Sequence, residues 1–310
     1  MGIVTSVNPR LLAATGGVLL VIAAALAFFV HTSSSPKQGS PRPPVTVMKP
    51  KPKPAPPTTT TAPVQPPPAS IAMSWSNAGA MVWHTHDVDP TWLGQQLRAA
   101  GFGWVAIYLG TTGMAEPPDS DWASRFVQAS GLPVGGWTVL AGYPHADAGF
   151  AATELKKYGL SFYIANAEAS YENKPGASRQ FVTRFRRLEP TMTAALSSLC
   201  DARGIDLAPW AAAQFAFLPQ AYVNDFGTAV SPAACVSTAS QYFPRSAIHP
   251  TVGSYHGQKG WVSAQRYVQL LAQAGTTGFS IYPAETAMTA QDWQTYGQAI
   301  KTRGVATVVR

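Results

Sequence analysis

The sequence predicts an α/β fold of one kind, a (β/α)8 or TIM barrel, over residues 71–310. Three observations carry that expectation. From Met81 onward, short apolar β-prone runs alternate with runs of helical period, the pattern of parallel strands joined by helical crossovers. Eight such strand–helix pairs are legible. The stretch that holds them, about 240 residues, is the usual size of one such barrel.

The first strand is expected at 81–86, followed by a helix that Asp89-Pro90 opens and Gly101 ends, with Leu93 and Leu97 on one face. Strand two is expected at 104–109 and its helix at 122–129. Strand three is expected at 134–140, with its helix at 146–158. The fourth strand, 161–168, is the most informative. It is a β-prone apolar run between Gly159 and the loop residues Asn173, Pro175 and Gly176, and it ends in an amide and a carboxylate. Phe162, Ile164, Asn166 and Glu168 share one of its faces. If that face points inward, Asn166 and Glu168 emerge at the C-terminal mouth, where barrel enzymes keep their chemistry. A helix follows at about 179–188. The second half is less regular: strands are expected at 193–199, 215–222, 248–255 and 278–282. Tyr267, Leu270, Leu271 and Ala274 mark one helix, and Thr289-x-x-Asp292 is the capping box of the last.

The ends read differently. Residues 1–10 are a short tail. Residues 11–30 carry no charge and are long enough to span a bilayer, so they are expected to be an uncleaved transmembrane anchor. The competing reading is a signal segment cleaved after Ala25-Leu26-Ala27, which would leave the domain secreted. Residues 31–70 form a linker rich in Pro, Thr and Lys, expected to be extended polyproline that lifts the domain off the membrane. Arg10 on one flank against Lys37 and Arg42 on the other disagrees with export under the positive-inside rule. Long domains translocate largely regardless of flanking charge, so the domain is still expected outside. The net charge of +7 belongs to the tail: six of the 22 basic residues precede residue 71, leaving sixteen against 15 acidic ones in the barrel. That near-neutral domain sets nucleic acid aside as a partner. Cys200 and Cys235 have no metal-ligand spacing; one disulfide and two buried thiols both remain open.

Glu168 is the prime catalytic candidate, since a carboxylate ending so apolar a strand is costly unless partnered or functional. Glycoside hydrolysis needs a proton donor and a second group at the oxocarbenium-like centre. Asp87 and Asp89 after strand one and Glu285 after strand eight are the carboxylates available. Trp137, Gln220, Tyr222, Tyr255 and Tyr282 would line the same rim, with aromatic faces for sugar rings and an amide for their hydroxyls. Plainer readings stand beside these: Asp89 as a helix cap, Glu285 as a solvated loop residue, and the aromatics as packing. His84 and His86 offer a metal alternative, but strands five and six supply no further His. In an unbroken strand these histidines face away from Asp87, so the two sites exclude each other. There is no G-x-S-x-G elbow and no phosphate-cradling loop. No cofactor or metal is expected.

Several of these stretches resemble the family 25 lysozyme-like glycoside hydrolases over residues 81–172. His86-Asp87-Val88-Asp89 with Trp92 looks like that family's opening Asp motif. The runs from Ala99 to Tyr108 and from Ala129 to Trp137 are similar to its second and third strands, and Asn166-Ala167-Glu168 sits where it has Asp-x-Glu. The resemblance implies Glu168 as general acid, Asp87 as the strand-one acid, and peptidoglycan as substrate class. It departs at Asn166, an amide in place of a charge. The expectation is a membrane-tethered, extracytoplasmic glycoside hydrolase acting on cell-wall or surface polysaccharide, with Asn166 positioning substrate. The alternatives are a non-catalytic glycan-binding or adhesion barrel and, behind both, a metal-dependent hydrolase using His84 and His86.

Overall fold

Eight parallel strands close on themselves in chain order, β1-β2-β3-β4-β5-β6-β7-β8, in a computed structural model that describes residues 73–114, 119–285 and 288–308. The strands are β1 Ala78–Val82, β2 Trp104–Thr111, β3 Val134–Val139, β4 Phe162–Asn166, β5 Thr193–Leu199, β6 Ala216–Gln220, β7 Thr251–Gly253 and β8 Phe279–Tyr282. Between and after them run α1 Pro90–Ala100, α2 Ser120–Ser130, α3 Pro144–Tyr158, α4 Ala177–Leu188, α5 Ala208–Ala212, α6 Val223–Phe226, α7 Pro232–Ala239, α8 Ala264–Ala274 and α9 Ala290–Val308. This is the TIM barrel expected from the alternation. The tail, the apolar run 11–30 and the whole linker 31–70 lie outside the described residues. Among the described residues no helix is long and apolar enough to cross a membrane.

Two apolar layers hold the barrel. Alternate strand residues such as Val105, Ile107 and Leu196 pack outward against Leu93, Leu97, Phe126, Phe185 and Leu271 of the helices. The others fill the lumen: Met81, Trp104, Ala106, Trp137, Phe162, Ile164, Ala195, Ala216 and Leu218. Trp75 plugs the N-terminal end edge-on against Trp104 and Phe162, with ring centroids 5.1 and 5.4 Å away. So many large rings fit because glycines face them. A Cβ on Gly79 would sit 2.0 Å from the Trp104 ring, and one on Gly135 2.4 Å from Phe162.

That packing explains the main departure from the expected elements. β1 occupies Ala78–Val82, upstream of the expected 81–86, because the small Ala78-Gly79-Ala80 run is selected by the Trp104 ring rather than by β propensity. Residues Thr85–Asp87 then form a 3-10 turn, so the parity argument that set His84 and His86 against Asp87 does not apply. Asp89 caps α1, its Oδ1 accepting from the Trp92 N–H at 2.8 Å. Cys200, after β5, and Cys235, in α7, are joined by a disulfide with Cα atoms 4.8 Å apart, which resolves the alternative the sequence leaves open.

Candidate functional site

β4 directs Phe162 and Ile164 into the lumen, so the alternation carries Asn166 and then Glu168 up the same face to the C-terminal mouth. β6 does likewise through Ala216 and Leu218 to Gln220. The three polar side chains meet. Gln220 Nε2 donates to Glu168 Oε1 at 2.8 Å and to Asn166 Oδ1 at 2.9 Å, and Asn166 Nδ2 donates to the same Glu168 oxygen at 3.0 Å. Asn166 and Gln220 are buried, whereas Glu168 is half-buried. One carboxylate oxygen is thus fixed by two amides, and Oε2 accepts no hydrogen bond from the described residues.

Beside this triangle a row of rings crosses the mouth. Tyr108 lies 4.6 Å from Trp137, Trp137 6.0 Å from Trp83, and Trp83 5.7 Å from Tyr282. Tyr282 continues to Tyr222 at 5.9 Å and to Tyr255 at 6.2 Å. Burial, and then neighbouring tyrosines and carboxylates including Glu168, push the Tyr222 and Tyr282 hydroxyls well above the ordinary phenol value. They therefore stay neutral, able both to donate and to accept. Tyr255 is raised too, again chiefly by burial, and its hydroxyl donates to Asp225.

Glu285 is no solvated loop residue. Its side chain is fully buried after β8, and Oε1 accepts from the backbone N–H of Trp83 at 3.0 Å and of His84 at 2.7 Å. The same oxygen lies 3.2 Å from His84 Nδ1, a contact that raises the His84 pKa against the effect of burial. Oε2 is buried, without a partner among the described residues. The His84 ring stacks on Trp83 at an interplanar angle of 5°. Glu285 thereby holds the Trp83 platform from beneath.

The remaining sequence candidates fall outside this cluster. Asp87 is exposed on the 3-10 turn, with no hydrogen bond to Glu168, and Asp89 is exposed at its cap. His86 is exposed, and among the described residues no three His, Cys, Asp or Glu side chains converge as a metal site would require. Sequence reasoning missed Trp83 and Tyr108 as rim residues. Tyr108 was within reach, since it shares the inward parity of Trp104 on β2; Trp83 was hidden by the misplaced start of β1.

No protein-family profile matches the chain, and no curated protein matches it. Solved structures do. The chitinase of Chromobacterium violaceum ATCC 12472 aligns with a TM-score of 0.53 at 14% identity, over 72% of this chain and 99% of that one. The GH18 chitinase ChiB of Flavobacterium johnsoniae gives 0.54 at 11% identity, over 73% and 94%. A plant class V chitinase mutant from Cycas revoluta, in complex with (GlcNAc)3, gives 0.52 at 8% identity, over 74% and 99%. At such identities the likeness is one of fold. The expected TIM barrel stands, while the neighbours named here are chitinases and not family 25 lysozyme-like enzymes.

Proposed function

We propose that this barrel hydrolyses a polysaccharide of N-acetylated amino sugars, in the cell wall or at a surface, with Glu168 as the proton donor. Peptidoglycan is the first substrate class and chitin-like glycan the second. The observation that carries the reading is the state of Glu168: half-buried at the end of β4, anchored through Oε1, with Oε2 unpartnered beside a row of aromatic rings. The rings would take the apolar faces of the sugars. Glu168 would protonate the glycosidic oxygen as the bond to the anomeric carbon breaks. The second role falls to Asp87 only if its turn moves inward. Where the substrate supplies the nucleophile, the carbonyl oxygen of its own acetamido group, held by Asn166 and Gln220, would bond to the anomeric carbon as the leaving oxygen takes the Glu168 proton; water, giving a proton back to Glu168, would then open that cyclic intermediate.

One pair of observations favours a binding-only barrel instead: an amide at position 166, and no second carboxylate bonded to Glu168. Reducing-end release by the full chain from purified peptidoglycan and from chitin, beside Glu168→Gln, separates the two. The hydrolase reading expects a loss of at least about a hundredfold in the variant at unchanged stability. Binding with no release by either protein would establish the glycan-binding reading, and equal release by both would clear Glu168. Tethering through residues 11–30 with the domain extracytoplasmic belongs to the same proposal. It is supported by that apolar run, by the Pro-rich linker and by the Cys200–Cys235 bond, a feature of oxidising compartments.

A further inference from the structure

The row of rings has a direction. It starts at Tyr108 and Trp137 on β2 and β3, passes Trp83 and Tyr282 at the β1–β8 seam, and ends at Tyr222 and Tyr255 after β6 and β7. β3 and β7 are four strands apart by either route round the closed barrel, so the row, passing by way of the β1–β8 seam, has its two ends on opposite sides of the mouth. One exposed aromatic stands on the loop that leaves β3 and another on the loop that leaves β7. Tyr143, in the β3–α3 loop, is 68% exposed, and Trp261, in the β7–α8 loop, is 43% exposed.

Both loops are held in place. The carboxylate of Asp147 accepts from the backbone N–H groups of Ala141, Gly142 and Tyr143 at 3.0–3.2 Å. On the other side, Asn224 O accepts from the Lys259 N–H at 2.7 Å, and Asp225 Oδ1 accepts from the Gln258 N–H at 2.9 Å. Two fixed loops thus hold large rings open to water on opposite sides of the mouth. The exposed apolar surface is also biased to this end: of the six large apolar side chains left exposed among the described residues, Trp92, Met114, Tyr143 and Trp261 follow the C-terminal ends of strands.

We infer that the mouth binds an internal segment of a linear glycan across its full diameter, with Tyr143 and Trp261 as outer stacking sites at opposite ends. The inference rests on the glycan reading above and adds chain length and direction to it. Eight strands about 4.8 Å apart and tilted about 36° close into a barrel about 15 Å across, and the loops lie wider still. The two outer rings are therefore too far apart for one disaccharide to touch both. Because Glu168, just past β4, lies between them, sugars would be bound on both sides of the scissile bond, and cleavage would fall within chains rather than at their ends.

The test is calorimetric affinity of the full chain for chito-oligosaccharides from dimer to hexamer, for the Glu168→Gln protein, in which turnover is prevented, and for the same protein with Tyr143→Ala or Trp261→Ala added. The expected result is affinity that climbs with length. Each alanine variant should weaken the hexamer about three- to tenfold while leaving the dimer within about twofold. The two losses should multiply in the double variant, since the sites are far apart. A hexamer no tighter than the dimer, or a hexamer indifferent to both substitutions, overturns the diametral site and leaves the glycan reading intact. If no chito-oligosaccharide of any length binds and purified peptidoglycan is not bound either, the glycan reading itself falls and takes this inference with it; binding of peptidoglycan alone overturns this inference only. Both positions are exposed, so loss of folding does not confound the outcome.

Discussion

His249 shows how a single side chain sets a pH limit on this fold. It is 1% exposed, and its backbone N–H is taken by Phe217 O at 2.8 Å, but Nδ1 is buried without a partner among the described residues. Gly278 is packed so close that a Cβ there would lie 2.8 Å from that nitrogen. Burial pushes the His249 pKa down to about 4, against 6.5 for the free side chain. Between those values the unfolded chain takes up a proton that the folded one refuses. Stability is therefore full above pH 6.5 and falls as pH drops towards 4, by about 3 kcal/mol in all at ~1.4 kcal/mol per pH unit. Urea unfolding at a series of pH values should show this slope, and His249→Gln should flatten it; an unchanged slope in the variant would sink the assignment. Residue-level legibility was uneven in the same way. Glu168 and Gln220 could be placed at the rim because strand parity is a local rule. Glu285 stands in the sequence both as a candidate carboxylate and as a solvated loop residue, because nothing in Pro-Ala-Glu-Thr reveals that the Trp83 and His84 amides lie against it.

Elements meet at the mouth through Asp147, which α3 carries in its first turn. Besides the three amides of its own loop, this buried carboxylate accepts from Thr112 Oγ1, just past β2, at 2.6 Å and from the Tyr171 hydroxyl, between β4 and α4, at 2.9 Å. Three consecutive βα connections are thus tied to one side chain, and the helix N-terminus favours the negative charge there. Asp147→Ala should cost about 3 kcal/mol or more, because it strands several buried donors at once, whereas Tyr171→Phe should cost only about 1 kcal/mol. Chemical denaturation of both variants checks the ratio; comparable losses would show that the Tyr171 bond, and not the cluster, holds the loops. The sequence placed the helix at 146–158 but gave no hint of this role. Periodicity locates a helix, while the donors that converge on its first turn come from segments far apart in the chain. The same limit explains β1. Its glycine exists for a ring on the neighbouring strand, and no rule confined to the strand itself could find it.

At the scale of the molecule, the alternation of strand and helix was enough to predict closure, since eight repeats of one right-handed unit have few other ways to bury their strands. The second half was read less well because its connections are long and broken, with α5, α6 and α7 and several 3-10 turns between β5 and β7. There the barrel relies on a covalent tie. Cys200 and Cys235 are 35 residues apart in sequence, a spacing that says nothing by itself; the return of the chain through β6 is what brings them together. Closing a loop of that length in the unfolded chain removes entropy equivalent to about 4 kcal/mol. In a barrel of this size that corresponds to a melting temperature lower by on the order of 10 °C once the bond is gone. Thermal melts of the wild-type chain with and without reductant, and of the Cys200→Ser, Cys235→Ser double variant, should agree on that shift. The double variant should be indifferent to reductant, which separates the effect of the bond from any action of the reductant elsewhere. Equal melting temperatures for the oxidised and reduced wild-type protein would mean that the packing of α7 against β6 holds this half alone, and that the tie follows the fold instead of supporting it.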